Sequence, residues 1–210
     1  REGKYNEGYA PGYYSDDTEH SIGLIKAIME PKPFSEELLL KYWKKEYESD
    51  KEARGFPRQG HGTIKDWYEN RKTIEELKEN SKKSPDPGCA PPMRAVPLGL
   101  VNSNLINEYA AINATATHAS QKAIDSSILV ARASEFMIVK NGNPNEIFEY
   151  CMNHVSNPEN RDYLAQIQKL PRVEELSEEE FQILCGPQPI PYFKHRTVVG
   201  LPNSAIRVAG

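Results

Sequence analysis

Residues 120–140 read SQKAIDSSILVARASEFMIVK, and this stretch decides the fold. Ile124, Ile128, Ala131, Glu135 and Ile138 recur at helical spacing, while the Ala and Ser residues between them let other helices approach closely. Asn141-Gly142-Asn143-Pro144 stops the segment. Upstream, Asn104–Thr117 carries Leu105, Tyr109 and Ile112 as an apolar face. Downstream, Asn145–Val155 reads as another helix. Nearer the start, Ile22, Ile25 and Met29 stand in helical register, with Leu24 and Ile28 widening the stripe, and Pro31 and Pro33 end that helix. Ser15 or Asp16 is the N-cap, and Asp16-x-x-Glu19 resembles a capping box. Ser35 caps a second helix with Glu36 and Glu37 in its first turn, where negative charge is favoured. Its apolar face is Leu39, Tyr42, Trp43 and Tyr47. Thr63 onward reads as a third helix through Trp67 and Tyr68; Ile74 and Leu77 belong to its end or to a short fourth. Residues 1–14 read as loop, 79–92 as the longest breaker segment, and the stretch after Val155 as polar and then proline-extended. No period-2 alternation and no internal repeat is present, so the chain reads as all-α.

Composition narrows the functional classes. The 210 residues suffice for one large domain or two small ones. Net charge is −4 with acidic and basic residues interleaved, and no Lys/Arg stripe points to nucleic acid. No apolar run reaches membrane-spanning length. Cys89, Cys151 and Cys185 are odd in number and far apart. They read as free thiols of a reducing, cytoplasmic compartment rather than a disulfide framework or a zinc site. The chain begins at Arg1 rather than Met and reads as a fragment.

Four segments carry chemistry. In Tyr13-Tyr14-Ser15-Asp16-Asp17-Thr18, two adjacent carboxylates and two hydroxyls sit where a Gly/Pro/Tyr segment gives way to a helix. Clustered carboxylates repel, and a hard divalent cation relieves that repulsion. The same residues also read as an N-cap followed by acidic first-turn residues. Gly60-His61-Gly62-Thr63 lets backbone approach a ligand closely, or is an ordinary interhelical loop with a Thr cap. Pro87-Gly88-Cys89-Ala90-Pro91-Pro92-Met93-Arg94-Ala95-Val96-Pro97-Leu98-Gly99 is a turn that could present amides to a pyrophosphate, though its prolines remove donors. Arg94 reaches a phosphate or pairs with a structural carboxylate. Thr117-His118 lies between two helices, where His118 caps, sits in the core, or hydrogen-bonds a sugar or phosphate oxygen. The remaining histidines are too scattered for a metal cluster. Tyr42, Trp43 and Tyr47 read as core, and Glu174–Glu180 as a solvated face.

Taken in order, these segments resemble the ADP-ribosylglycohydrolase family, which includes the dinitrogenase reductase-activating glycohydrolases. The resemblance rests on Ser15-Asp16-Asp17-Thr18 opening a helix, then Gly60-His61-Gly62-Thr63, then Met93-Arg94-Ala95-Val96-Pro97-Leu98-Gly99, then Thr117-His118 heading a small-residue helix. It spans about residues 13–140. It implies an all-α orthogonal helical bundle, incomplete at both ends, forming one domain over 1–210 with 156–200 as an insertion. It also implies two Mg²⁺ (or Mn²⁺) ions, with Ser15, Asp16 and Asp17 as metal ligands. Gly60, His61, Gly62, Gly88, Cys89, Ala90 and Met93 would then line the ADP-ribose, and His118 would contact its ribose or phosphate. The implied reaction is hydrolysis of the bond from the ribose anomeric carbon to a modified protein or a small metabolite. The sequence departs from the family in lacking a C-terminal Asp-x-Asp-Thr motif and in carrying Cys89, Pro91 and Pro92 at the turn. An inactive relative that keeps the fold for binding or structure is the alternative.

Overall fold

A computed structural model describes residues 14–49, 64–83, 89–169 and Ser177. Among these residues all regular structure is helical. The α-helices are α1 (Asp16–Met29), α2 (Glu36–Ser49), α3 (Ile64–Tyr68), α4 (Ile74–Lys83), α5 (Ala90–Met93), α6 (Ile106–Thr115), α7 (Gln121–Ser134), α8 (Ile147–Met152) and α9 (Pro158–Gln168). The all-α expectation holds. No helix among the described residues is long and apolar enough to cross a membrane.

Local chemistry accounts for the ends of these helices. Ser35 Oγ accepts the Leu38 amide at 3.2 Å and starts α2 as expected. Ser15 is the N-cap of α1, but its side chain caps no amide. The Asp16–Glu19 capping box is therefore not formed, because Asp16 already lies inside the helix and Ser15 Oγ donates to Asp17 instead. The reciprocal box stands at α4: Thr73 Oγ1 accepts the Glu76 amide and Glu76 Oε2 accepts the Thr73 amide. Glu30 ends α1 in extended geometry, the conformation that the following Pro31 imposes.

α7 is the centre of the bundle. Every residue from Asp125 to Ser134 is buried, and α5, α6, α8 and the 3₁₀ turn Val96–Leu100 all pack on it. Its small residues permit this close approach. Against it, α6 buries Ile106, Ala110, Asn113 and Ala114, whereas the expected face of Leu105, Tyr109 and Ile112 is only half buried. The shift arises because residues 103–105 form a 3₁₀ turn and the α-helix begins only at Ile106. The expected continuous helix to Lys140 also changes form. It widens into a π turn over Glu135–Val139, which leaves Ile138 60 % exposed. Asn141, with φ 49°, then reverses the chain.

α1 and α2 form the second layer. Trp43 and Leu40 are fully buried, and the Trp43 indole lies so near Gly23 that a Cβ there would be 2.8 Å from Cδ1. Lys26 on α1 pairs with the buried Glu46 on α2 at 2.5 Å.

Two segments expected to be irregular are helical. α4 runs to Lys83 and α5 begins at Ala90, inside the expected breaker. α9 forms in the stretch after Val155 that read only as polar. Its start is fastened to the buried Asp125, which accepts from Ser156 Oγ (3.1 Å), the Asn157 amide (3.0 Å) and Asn160 Nδ2 (3.2 Å). Leu164 completes the contact with the core. Neither Cys89 nor Cys151 is joined in a disulfide, and burial pushes the Cys151 thiol up to about 12.

The π turn carries a charged network. Glu135, 2 % exposed, accepts from Arg132 Nη1 and from the Tyr150 hydroxyl, each at 2.7 Å. Burial alone would raise the Glu135 pKa. Hydrogen bonds from Ser103, Tyr150 and Arg132 outweigh burial and hold it at about 2. Because the folded pKa lies below the unfolded one, this contribution is complete above about pH 4.5 and is lost as pH falls towards 2. We expect roughly 3 kcal/mol of stability to disappear over that window. Urea unfolding at pH 7 and pH 3 should show about 2 kcal/mol of it. The Glu135→Gln variant should flatten the difference, and an equal acid loss in both proteins would refute the assignment.

Candidate functional site

Of the candidate residues, Asp16 and Cys89 act on the charge of one buried cation, and His118 adjoins a residue bonded to it. Arg94 follows α5 and is 1 % exposed. Its Nε donates to Asn113 Oδ1 (2.8 Å), and its Nη2 donates to Asn113 O (2.8 Å) and to Thr117 Oγ1 (2.7 Å). The guanidinium lies 4.0 Å from the centre of the Trp43 ring, an arrangement that suits a weakly hydrated planar cation. Burial lowers its pKa to about 9, against the fields of Tyr68, Cys89 and Asp16, which favour the charge. The group is therefore cationic at neutral pH. Arg94 is thus buried rather than presented at the surface to a phosphate, and among the described residues the side chains that accept from it are an amide and a hydroxyl, while the Asp16 carboxylate favours its charge.

This cation ties the separate motifs together. Asp16 at the start of α1 and Cys89 at the start of α5 both act on its charge. Thr117 Oγ1 in turn contacts His118 Nδ1 at 2.9 Å. Asn113 Nδ2 donates to Pro91 O and to Ser127 Oγ, each at 2.9 Å, joining α5, α6 and α7. Beneath the first turn of α1, His20 Nε2 lies 2.9 Å from the Tyr68 hydroxyl, and Trp43 Nε1 donates to His20 O at 2.9 Å. Burial pushes the Tyr68 phenol far up, with Arg94 opposing and Glu19 and Asp16 reinforcing.

Within α1 the acidic residues divide. Asp16 is half buried and Asp17 is exposed. Ser15 Oγ donates to Asp17 Oδ2 at 2.7 Å. That spacing is close to the edge of a Mg²⁺ octahedron, about 3 Å for ligands at ~2.1 Å. The donors are hard oxygens, of the kind that suits Mg²⁺ or Mn²⁺. Among the described residues no group of three Asp, Glu, His or Cys side chains is arranged to hold a metal by itself.

The other predicted residues divide as follows. Cys89 is exposed as the N-cap of α5, and Ala90 and Met93 are its half-buried first and last residues. α5 makes a poor amide cradle, because Pro91 and Pro92 have no N–H and the Met93 amide bonds to Cys89 O. His118 is half buried. Gly60, His61, Gly62 and Gly88 lie outside the described residues.

Glu19, Tyr68 and Asn113 belong to this neighbourhood and were not anticipated. Glu19 was readable in principle, since it lies one helical turn after Asp16. Tyr68 and Asn113 leave no signal at the level of spacing. An open cleft of about 300 Å³, lined by Trp67, Asn70, Arg71, Lys72, Thr73 and Glu76, involves none of these residues. Its cations are already paired with Asp66 and Glu69.

Comparison with curated proteins returns no match. The helical architecture agrees with a family model described as ADP-ribosylglycohydrolase, which matches residues 2–200, and the chain belongs to that family.

Proposed function

We propose that this protein is a Mg²⁺-dependent hydrolase of ADP-ribosyl N- or O-glycosidic bonds, with Mn²⁺ able to replace Mg²⁺. It releases ADP-ribose from a modified protein or a small metabolite in the cytoplasm. The observation that supports the reading is the Ser15 and Asp17 oxygen pair on the first turn whose Asp16 acts on the charge of Arg94, the group that donates to Thr117 next to His118. Ser15, Asp16 and Asp17 would hold the cation, which when bound polarises oxygen ligands and activates water. The carboxylates favour positive charge developing on the ribose ring, as in other glycoside hydrolysis. His118 offers a ring nitrogen to a ribose or phosphate oxygen. Cys89, Ala90 and Met93 lie along the nucleotide, with Gly60, His61, Gly62 and Gly88 as the remaining backbone contacts. A catalytically inactive relative that keeps the fold for binding is the second reading. It draws on the absence, among the described residues, of a three-residue metal-holding group.

Calorimetric titration tests the binding half of the proposal. Mg²⁺ should produce measurable heat, with weak affinity where water fills most of the shell, and ADP-ribose should bind more tightly once Mg²⁺ is present. Absence of heat from both ligands would reject it.

A further inference from the structure

We propose that Asn113 is a positioning residue that sets the one-turn helix α5, and with it Cys89, Ala90 and Met93, in place for the nucleotide. The ligand-binding part of this inference rests on the reading of those three residues given above.

α5 is poorly held by its own main chain. It has four residues, and so short a helix is unstable alone. Pro91 and Pro92 have no N–H to give. In a regular α-helix the Pro91 carbonyl would accept the amide four residues on, that of Ala95. The Ala95 amide bonds to Pro92 O instead, at 3.1 Å. Pro91 is buried, and a buried carbonyl without a donor is costly. Asn113 Nδ2 supplies that donor at 2.9 Å.

Asn113 is itself fixed. It is fully buried. Its Oδ1 accepts from Arg94 Nε and its main-chain O from Arg94 Nη2, each at 2.8 Å. Its Nδ2 also reaches Ser127 Oγ on α7 at 2.9 Å. Arg94 is the residue that ends α5. One asparagine thus grips the turn at Pro91 and at its C-terminal end, and references both to the central helix. Pro91 and Pro92 are buried where α5 packs on α7. Apolar packing of that kind is non-directional, so the hydrogen bonds set the tilt and depth of the turn. Exposed Cys89 and half-buried Ala90 and Met93 remain accessible beside the buried prolines. A turn already in its binding position lowers the ordering cost when a ligand arrives. Asn113 touches no ligand and acts through Pro91.

The test separates the hold on α5 from nucleotide binding. Asn113→Asp keeps an acceptor for Arg94 and removes the donor to Pro91 O. Ser127→Ala removes the other acceptor of the same carboxamide, leaves the Pro91 bond, and so reports general loosening of the network. Hydrogen exchange on the free protein follows peptides covering 89–95 and 121–134. In the wild type the Met93 and Ala95 amides should exchange roughly a hundredfold slower than in an unstructured peptide. Asn113→Asp should speed exchange in 89–95 about tenfold, the worth of one hydrogen bond, and leave 121–134 unchanged. Its ADP-ribose affinity in Mg²⁺ should fall about tenfold, and KM for an ADP-ribosylated substrate should rise alike at constant kcat. Ser127→Ala should match the wild type in all of these. An unprotected 89–95 segment in the wild type, unchanged exchange in Asn113→Asp, or equal changes in Ser127→Ala would overturn the proposal. The first outcome needs no variant, so it decides even where Asn113→Asp does not fold. Faster exchange with unchanged affinity would uphold the hold on α5 and instead reject α5 as a nucleotide contact.

Discussion

Asp17→Ala should abolish Mg²⁺-dependent release of ADP-ribose while leaving the fold in place. On the proposed reading its carboxylate, with Ser15 Oγ 2.7 Å away, supplies one edge of the cation shell. Loss of that edge removes several kcal/mol of charge stabilisation, roughly 10³-fold or more in turnover. The cost to folding is small because Asp17 is exposed. The chief loss is its favourable position at a helix N-terminus, worth at most about 1 kcal/mol. Asp16→Ala should abolish turnover too, but with an added loss of stability, since half-buried Asp16 helps to balance the buried charge of Arg94. Turnover of an ADP-ribosylated substrate by the intact protein, paired with a thermal melt, separates the two effects. Undiminished turnover in both variants would remove the metal assignment.

Gly99→Ala should be the most destabilising single-methyl addition among the glycines considered. A Cβ at Gly99 would stand 2.5 Å from Glu135 N, 2.6 Å from Ala131 O and 2.6 Å from Ser134 Cβ. The first two atoms are joined to each other, because the Glu135 amide donates to Ala131 O. The methyl would therefore strike a main-chain hydrogen bond of the central helix, just where it widens into the π turn. Neither side can yield without moving α7 or the 96–100 turn. A loss above about 3 kcal/mol is expected, near 10 °C in Tm for a chain of this size. Gly142→Ala is the natural comparison. There the nearest atoms to the Cβ would belong to the Phe136 side chain rather than to main chain, so the loss should be smaller. Equal melting temperatures for Gly99→Ala and the wild type would contradict the packing described here.

Much of this architecture could be read from residue order, for physical reasons. Ser35 caps because a hydroxyl before two glutamates satisfies an otherwise unpaired amide. Leu39, Trp43 and Tyr47 are buried as their spacing requires. Asn141 stops the helix because asparagine tolerates a positive φ. The misses share a different cause. α9 has few apolar residues, and its first turn is held by Asp125, more than thirty positions earlier. Such a tether has no periodicity to detect. The buried face of α6 moved because a 3₁₀ turn consumed its first residues. At the site, the Ser15–Asp17 adjacency is local and therefore legible. The role of Arg94 is not, since an arginine in a Pro-rich turn looks solvent-facing until Asn113 and Trp43 enclose it.

Asn113 leads to a constraint on how this protein can vary. Its carboxamide is wired in one orientation, because Arg94 has only hydrogens to give and the Pro91 carbonyl has only lone pairs. Aspartate would set anionic oxygen against that carbonyl, and leucine would strand the guanidinium. Among homologous chains, positions 94 and 113 are thus bound to drift as a couple, each tolerating a new side chain only when its counterpart changes as well.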